Sequence, residues 1–140
     1  MSGFFFIHWT ELFQSDGDPL ALASQKLNRR SPGGVQRFES PSSTILQGVR
    51  TGANPASVAR EGSMMLAGAL RLDDSESLAA QLGLDDAKHS DAELALAAYR
   101  AGGHDGIAKL LGDFSFLIFD EQDGAVAAFR DHFGVRPLYY

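Results

Sequence analysis

The sequence predicts an α+β fold in which antiparallel sheets stack on one another and helices cover the outside. Two segments that are apolar on both faces, 4–9 and 113–120, read as covered strands near the two ends of the 140-residue chain. Helical patterns lie between them, with further strand-like segments on either side. Because strands and helices come in runs and do not alternate, a parallel doubly wound sheet is disfavoured.

The N-terminal part reads as a strand, a helix and a hairpin. The run FFFIHW at 4–9 predicts the first strand. Asp18 followed by Pro19 indicates an N-cap and a first helical residue, and the proline and glycines at 32–34 end that helix. The segment 35–50 alternates loosely and breaks at a Ser-Pro-Ser-Ser sequence, which predicts a two-stranded hairpin.

The middle of the chain predicts a loop at 51–62, a strand at 64–72 interrupted at its glycine, and then helices. The first helix begins near Asp74, and the second begins with a capping box at 90–93. A short third helix covers 107–111. We expect one apolar face on the second helix, made of Leu94, Ala97, Ala98 and Ala101.

The C-terminal part predicts a hairpin and a final extended segment. The strand at 113–120 is followed by a turn at 121–124 and a return strand at 125–131. A further turn leads into 135–140, which looks like a strand and ends the sequence. A strand in that position normally has a partner. We therefore expect the 140 residues to be one domain, truncated at its C-terminal end, of a longer protein.

Composition excludes several classes of function. With 12 Lys+Arg, 18 Asp+Glu and a net charge of −6, and with no basic cluster, neither nucleic acid nor a membrane is expected as a partner. The absence of cysteine excludes disulfides and a thiol nucleophile. No apolar run approaches the roughly 20 residues of a membrane span, and no signal peptide is visible, so a cytoplasmic protein is expected. The scattered histidines predict no metal site.

The N-terminus offers one candidate for chemistry. Removal of Met1 is expected because the second residue is small, and it would give Ser2 a free α-amino group beside its own hydroxyl. An α-amino group has a pKa of about 7.7–8.0 and can act as the base for an adjacent nucleophile. The alternative is an ordinary start of translation followed by a small residue.

Two C-terminal motifs carry a resemblance to a known family. GDFSFLIFD at 112–120 and RDHFGVRPLYY at 130–140 are similar to the family patterns G-x-F-A-F-x-x-x-D and R-D-x-x-G-x-x-P-L-Y. Weaker matches lie in the same order at 28–34, 89–93 and 1–3, the last standing where the family has Met-Cys-Gly. The chain thus resembles the N-terminal class II glutamine amidotransferase domain of the asparagine synthetase family, in a degenerate form like that of β-lactam synthetases and lasso-peptide cyclases.

The resemblance implies an N-terminal-nucleophile-hydrolase fold, an α/β/β/α sandwich of two antiparallel sheets. It also implies a glutamine site in which Ser2 stands at the nucleophile position, Arg50 and Asp91 stand where the family grips glutamine, and Gly68 supplies part of the oxyanion site. The family's Asn-Gly pair falls on Ala67 and Gly68. Two structural alternatives stay open, namely a first-turn carboxylate for Asp91 and a surface or sheet-edge arginine for Arg50.

The departures from the family pattern predict a catalytically silent domain. Serine is a poorer nucleophile than cysteine, and loss of one oxyanion donor costs on the order of 10²–10³ in turnover. Silent relatives support a C-terminal synthetase domain that uses ATP and magnesium, and the Ser-Gly-Gly-x-Asp-Ser segment of that domain is absent here. We therefore expect no cofactor on this chain, a synthetase domain as partner, and a peptide substrate or a second copy as further candidate partners.

Two other functions remain open. Ser2 could serve a working hydrolase that releases ammonia from glutamine, or the extended end near Tyr140 could capture a peptide. Three features near the C-terminus are candidates for turns or interdomain contact, namely Asp131, Arg136 and the pair Tyr139-Tyr140.

Overall fold

Two antiparallel sheets organise the chain, one in each of two units, Met1–Pro55 and Ala56–Tyr140. The computed structural model describes residues 3–8, 17–40, 43–49 and 58–140. The predicted α+β class with two antiparallel sheets and accompanying helices is confirmed, and it is consistent with an N-terminal-nucleophile-hydrolase-like fold.

The first unit holds a three-stranded sheet and one helix. The strand order is β1-β3-β2 with antiparallel pairing on both sides of β3. The predicted first strand, helix and hairpin are all present. Their bounds are β1 Phe4–His8, α1 Pro19–Asn28, β2 Val35–Ser40 and β3 Ser43–Gly48.

The start of α1 follows from two residues. The carboxylate Oδ1 of Asp18 accepts hydrogen bonds from the N–H groups of Leu20 at 3.0 Å and Ala21 at 3.1 Å. These bonds satisfy two of the N–H groups that a helix start leaves without a partner, and Pro19 supplies a fixed φ at the first position. The predicted cap is therefore confirmed.

The second unit holds a four-stranded antiparallel sheet of order β4-β5-β6-β7 with two helices. Helices α2 and α3 lie between β5 and β6 in the sequence, as predicted. The bounds are β4 Val58–Glu61, β5 Met64–Leu72, α2 Ser75–Leu82, a 3₁₀ turn Asp86–Lys88, α3 Asp91–Ala108, β6 Gly112–Asp120 and β7 Val126–Arg130.

The helices cover one face of this sheet and form the core of the unit with it. Ser90 and Glu93 make the predicted capping box at the start of α3. Gly103, with φ 58° and ψ −136°, kinks α3 and separates a last short helical turn from the rest. The buried core includes Leu66, Leu72, Leu94, Ala95, Ala98, Ile107, Leu110, Phe114, Phe116 and Ile118.

The structure differs from the sequence prediction at five places. The predicted third helix at 107–111 is not present as a separate helix, since α3 extends to Ala108 and residues 109–111 are not helical. The predicted loop at 51–62 contains β4, whose charged residues Arg60 and Glu61 suit an exposed edge strand. Strand β5 runs without interruption. Ala101, predicted to lie on the apolar face of α3, is exposed. Residues 135–140 form no strand.

Gly68 lies at a close approach of β5 and β6. It stands opposite Phe116, and a Cβ atom at Gly68 would lie 2.3 Å from the Phe116 Cβ and 2.4 Å from the Ser115 carbonyl oxygen. Neither of these two atoms can move unless the backbone of β6 moves with it. The sequence prediction that a side chain is unwelcome at Gly68 is therefore confirmed, although the strand is not interrupted there.

Asp131 builds the turn that follows β7. It is buried, and its carboxylate accepts four backbone N–H groups at 2.9–3.3 Å, those of Phe114, Phe133, Val135 and Arg136. Burial alone would raise the pKa of Asp131, but these four donors together hold the pKa below its usual value. The motif that begins at Arg130 and Asp131 therefore forms a structural turn. The turn is stabilised further by Arg136, whose Nε donates to the Asp113 carbonyl at 3.2 Å.

We expect Gly68→Ala to destabilise the second unit by about 2–3 kcal/mol, because the new methyl group forces β5 and β6 apart. Gly102→Ala is the matched control, since a Cβ there meets nothing within 4 Å. The control should be neutral or stabilising by up to about 1 kcal/mol through helix propensity. Urea unfolding measures both, and equal stabilities for the two variants would contradict the close approach.

We expect Asp131→Asn to cost about 2–4 kcal/mol at neutral pH, because the amide has one acceptor atom where the carboxylate has two. The folded-state pKa is lowered, so the contribution of Asp131 is present above its unfolded pKa of about 3.9 and is lost as the pH falls through the folded value. The difference from wild type in urea unfolding should therefore shrink towards pH 3.

Asp123→Asn is the matched control for that series. The Asp123 Oδ1 accepts the Ala125 N–H at 2.8 Å in an exposed turn, where asparagine serves equally well. Its unfolding free energy should stay within about 0.5 kcal/mol of wild type. If Asp131→Asn lowers the free energy of unfolding by the same amount at every pH, the charge of the carboxylate does not stabilise the turn.

Candidate functional site

The structure describes two of the four residues predicted for the glutamine site. Gly68 and Asp91 both belong to the second unit. Ser2 and Arg50 lie outside the described residues, so their roles stay predictions.

The backbone of Gly68 points away from β6. The Glu121 N–H donates to the Ser63 carbonyl at 2.9 Å in the same register as the β5–β6 ladder. Because hydrogen-bonded pairs alternate along antiparallel strands, odd-numbered residues of β5 bond to β6, and Gly68 directs its N–H and C=O to the β4 side. Strand β4 begins at Val58, opposite Ala67. Gly68 therefore directs its N–H and C=O to the β4 side of the sheet, one residue beyond the pair of Ala67 with Val58.

Ala67 limits what this backbone donor can do. The residue is fully buried, and its methyl group cannot donate a hydrogen bond. An oxyanion held at this place would have the N–H of Gly68 but no side-chain donor from the preceding residue. The arrangement supplies half of the donor pair that the resemblance implies.

Asp91 joins the start of α3 to the end of β5. It is the first residue of α3, and its Oδ2 accepts the Leu72 N–H at 2.9 Å. The neighbouring Glu93 carboxylate accepts from the N–H and hydroxyl of Ser90, and these bonds lower the pKa of Glu93. Asp91 thus has a structural contact of its own, and no described residue donates a hydrogen bond to its Oδ1.

Gly68 belongs to β5, and the Asp91 carboxylate contacts the same strand at a different residue. Asp91 binds at Leu72, four residues beyond Gly68. At about 3.3 Å per residue, the two donor and acceptor positions are about 13 Å apart along β5. A ligand that uses both must therefore be extended along the strand.

Gln47 is a buried polar residue that the sequence prediction did not single out. In the first unit, its buried amide Nε2 donates to the carbonyl oxygens of Gly48 at 3.2 Å and Gly3 at 3.4 Å, and the Gly48 N–H donates to Gly3 at 2.8 Å. Gly3 follows the predicted nucleophile Ser2 in the sequence. The only signal available in the sequence was an amide side chain beside the apolar pair Ile45-Leu46.

Among the residues with described positions, no three His, Cys, Asp or Glu side chains form a group that could hold a metal ion. Within the same ranges, no helix has the length and apolar character needed to cross a membrane.

Comparison with known proteins agrees with the motif resemblance. Residues 42–140 match the family described as glutamine amidotransferase domain. A glutamine-hydrolyzing asparagine synthetase 1 of Bacillus subtilis is 45% identical over 51 residues, which is 36% of this chain and 8% of the relative. Asparagine synthetase B of Escherichia coli is 40% identical over 50 residues, 36% of this chain and 9% of the relative.

A third relative is named for a different activity. The amidase chry2 of Gibberella zeae is 39% identical over 52 residues, 37% of this chain and 8% of the relative. The matched segments thus span less than a tenth of each of these relatives. The family match, in contrast, covers more than half of this chain. The chain belongs to the glutamine amidotransferase domain family of asparagine synthetase-like proteins.

Proposed function

We propose that this amidotransferase domain is catalytically silent and supports a synthetase domain that forms amide bonds with ATP, as in lasso-peptide cyclases and β-lactam synthetases. The observation that carries the proposal is Ala67. It stands beside the outward N–H of Gly68, is fully buried, and offers no hydrogen to a developing oxyanion. The missing donor alone lowers turnover by about 10²–10³.

The nucleophile position adds a second reason. Ser2 stands where the family carries cysteine, and a serine hydroxyl stays protonated at neutral pH unless a base activates it strongly. Asp91, in turn, is engaged with Leu72 at the end of β5. Its presence is accounted for by this contact without any bound glutamine.

In this proposal the domain contributes structure and the synthetase domain contributes chemistry. ATP and magnesium bind the synthetase domain, which adenylates a carboxylate, and an amine already on the substrate attacks it. No ammonia from glutamine is needed, so loss of the glutaminase site is tolerated. We expect a Ser-Gly-Gly-x-Asp-Ser loop to be encoded downstream of codon 140 or in a neighbouring gene, because that loop binds the pyrophosphate in such domains.

We expect no release of ammonia from glutamine by the 140-residue chain above that of a buffer blank, and no change in Ser2→Ala. The assay is an enzyme-coupled measurement of ammonia, with intact-mass analysis to establish whether Met1 has been removed. Asp123→Asn serves as the control for expression and purification, because Asp123 lies far from Ser2 in the sequence and asparagine can replace it in its turn.

One result of this assay would contradict the silent domain. Ammonia release that Ser2→Ala abolishes would replace the silent domain by a hydrolase with a serine nucleophile. Retention of Met1 would block the free α-amino group and exclude that hydrolase, because its base would be missing.

A further inference from the structure

A cavity of about 200 Å³ lies between α2 and the C-terminal half of α3 in the second unit. Its lining residues come from the end of β5, from one side of α2, and from α3 and the segment that follows it. The described residues that line it do not include Gly68 or Asp91. The cavity is therefore separate from the predicted glutamine site.

The walls of this cavity are aliphatic. Four leucines line it, namely Leu72, Leu78, Leu110 and Leu111. Leu72 and Leu110 are buried and form the inner wall, whereas Leu111 is 59% exposed and lies at the mouth. An aliphatic group that enters between these side chains leaves water, which is favourable.

The cavity exists because α3 presents no long side chain to it. Ala98, Gly102 and Gly106 line this side. A Cβ atom at Gly106 would lie 2.1 Å from the Ala98 carbonyl oxygen, so this position accepts only glycine. A Cβ at Gly102 meets nothing within 4 Å, so the space beside Gly102 is free for a ligand.

Two charged side chains of opposite sign line the same cavity, Asp74 and Lys109. Asp74 precedes α2 but does not cap it, and Lys109 follows the last residue of α3. Within the described ranges, neither the Asp74 carboxylate nor the Lys109 ammonium group has a hydrogen bond or an ion pair. Both side chains are exposed, so their charges lie at the mouth of the cavity.

A larger cavity in the same unit, of about 490 Å³ and lined by residues of β4 and α3, differs in this respect. Its charged side chains already have partners. Arg60 pairs with Glu121 at 2.5 Å, Glu61 pairs with Arg100, and Glu93 belongs to the capping box of α3. Of these two cavities, the smaller one therefore presents charged groups that no described residue neutralises.

We infer that the smaller cavity binds an aliphatic α-amino acid of the size of leucine. The ammonium group of the ligand pairs with the Asp74 carboxylate, and its carboxylate pairs with the Lys109 ammonium group. Its side chain enters between the leucine walls. One molecule thus neutralises both charges at the mouth and fills the apolar interior.

Charge and volume together select this class of ligand. A fatty acid would place its carboxylate near Asp74, and an alkylamine would place its ammonium group near Lys109, without the compensating group that an amino acid carries. At roughly 30 Å³ for each water-sized group, the cavity holds about seven such groups. Leucine has this size when its charged groups remain partly in the open mouth.

The expected affinity is modest, because Asp74 and Lys109 are exposed and exposed ion pairs contribute little. A ligand of this size that makes such contacts gives a Kd of about 1 mM. The inference does not depend on the proposed function, since neither Gly68 nor Asp91 lines the cavity.

Titration of the nitrogen-15-labelled chain with L-leucine, followed by two-dimensional NMR, tests the site. We expect saturable shifts of the Ala98, Gly102 and Leu110 amide signals with a Kd of about 1 mM. Three analogues should each bind about tenfold more weakly or worse: 4-methylpentanoate lacks the ammonium group, 3-methylbutylamine lacks the carboxylate, and glycine lacks the aliphatic side chain.

Three results of this titration would overturn the inference. The first is the absence of shifts at about 20 mM leucine. The second is a set of shifts confined to residues away from the cavity. The third is an analogue that binds as tightly as leucine, because recognition would then not require both charges and the side chain.

Charge-removing variants test each contact by itself. Asp74→Asn should lower the affinity for leucine to that for 4-methylpentanoate, without weakening 4-methylpentanoate. Lys109→Gln should lower it to that for 3-methylbutylamine, without weakening the amine. Glu76→Gln is the matched control, because Glu76 is an exposed carboxylate of α2 that does not line the cavity. It should bind leucine like wild type, and the same loss in Glu76→Gln as in Asp74→Asn would contradict a specific contact.

A cavity-filling variant tests the apolar part. Gly102→Leu should abolish leucine binding, whereas Gly102→Ala, which adds only one methyl group in free space, should retain it. Circular dichroism and thermal unfolding establish that each variant keeps its fold. Binding of leucine by folded Gly102→Leu as by wild type overturns the inference, and if this variant does not fold, the Asp74→Asn and Lys109→Gln titrations decide.

Discussion

The pairing of β5 with β6 is the interaction on which the second unit depends. Nine residues of β5 stand opposite nine of β6 without a break in register. Gly68 allows the two backbones to come close at Phe116, the Asp91 carboxylate attaches α3 at Leu72, and the Asp131 carboxylate attaches the last turn at Phe114. The carboxylates of Asp91 and Asp131 thus connect α3 and the last turn to the two paired strands by accepting backbone N–H groups. Side-chain packing alone would leave these N–H groups without a partner.

The sequence predicted the elements whose ends carry specific chemistry. Asp18 with Pro19 fixed the start of α1, the capping box fixed the start of α3, and the bounds of β5 were obtained to the residue. The sequence does not predict β4, because a strand of four residues, two of them charged, shows no alternation of apolar and polar side chains. At 135–140 the extended apolar pattern predicts a strand that the structure does not contain, and the Val135 N–H donates to the Asp131 carboxylate instead of to a neighbouring strand.

The candidate site was predictable only in part, for a physical reason. Gly68 was identifiable because a glycine within a strand implies close approach, and Asp91 because it opens a helix. Gln47 was not, since its role depends on the long-range pairing of β1 with β3 that brings Gly3 beside it. Nothing local in the sequence distinguishes a buried amide that holds a neighbouring strand from one at an exposed edge.

Asp91 has a consequence for how this family is sorted into active and inactive members. Its carboxylate closes the gap between a strand end and a helix start, so its loss would disturb folding whether or not an amino acid is bound. A domain that had abandoned ammonia chemistry would therefore still keep aspartate at this position. Diagnosis of an inactive member should rest on positions whose side chain makes no structural hydrogen bond, and the alanine before Gly68 is one of them.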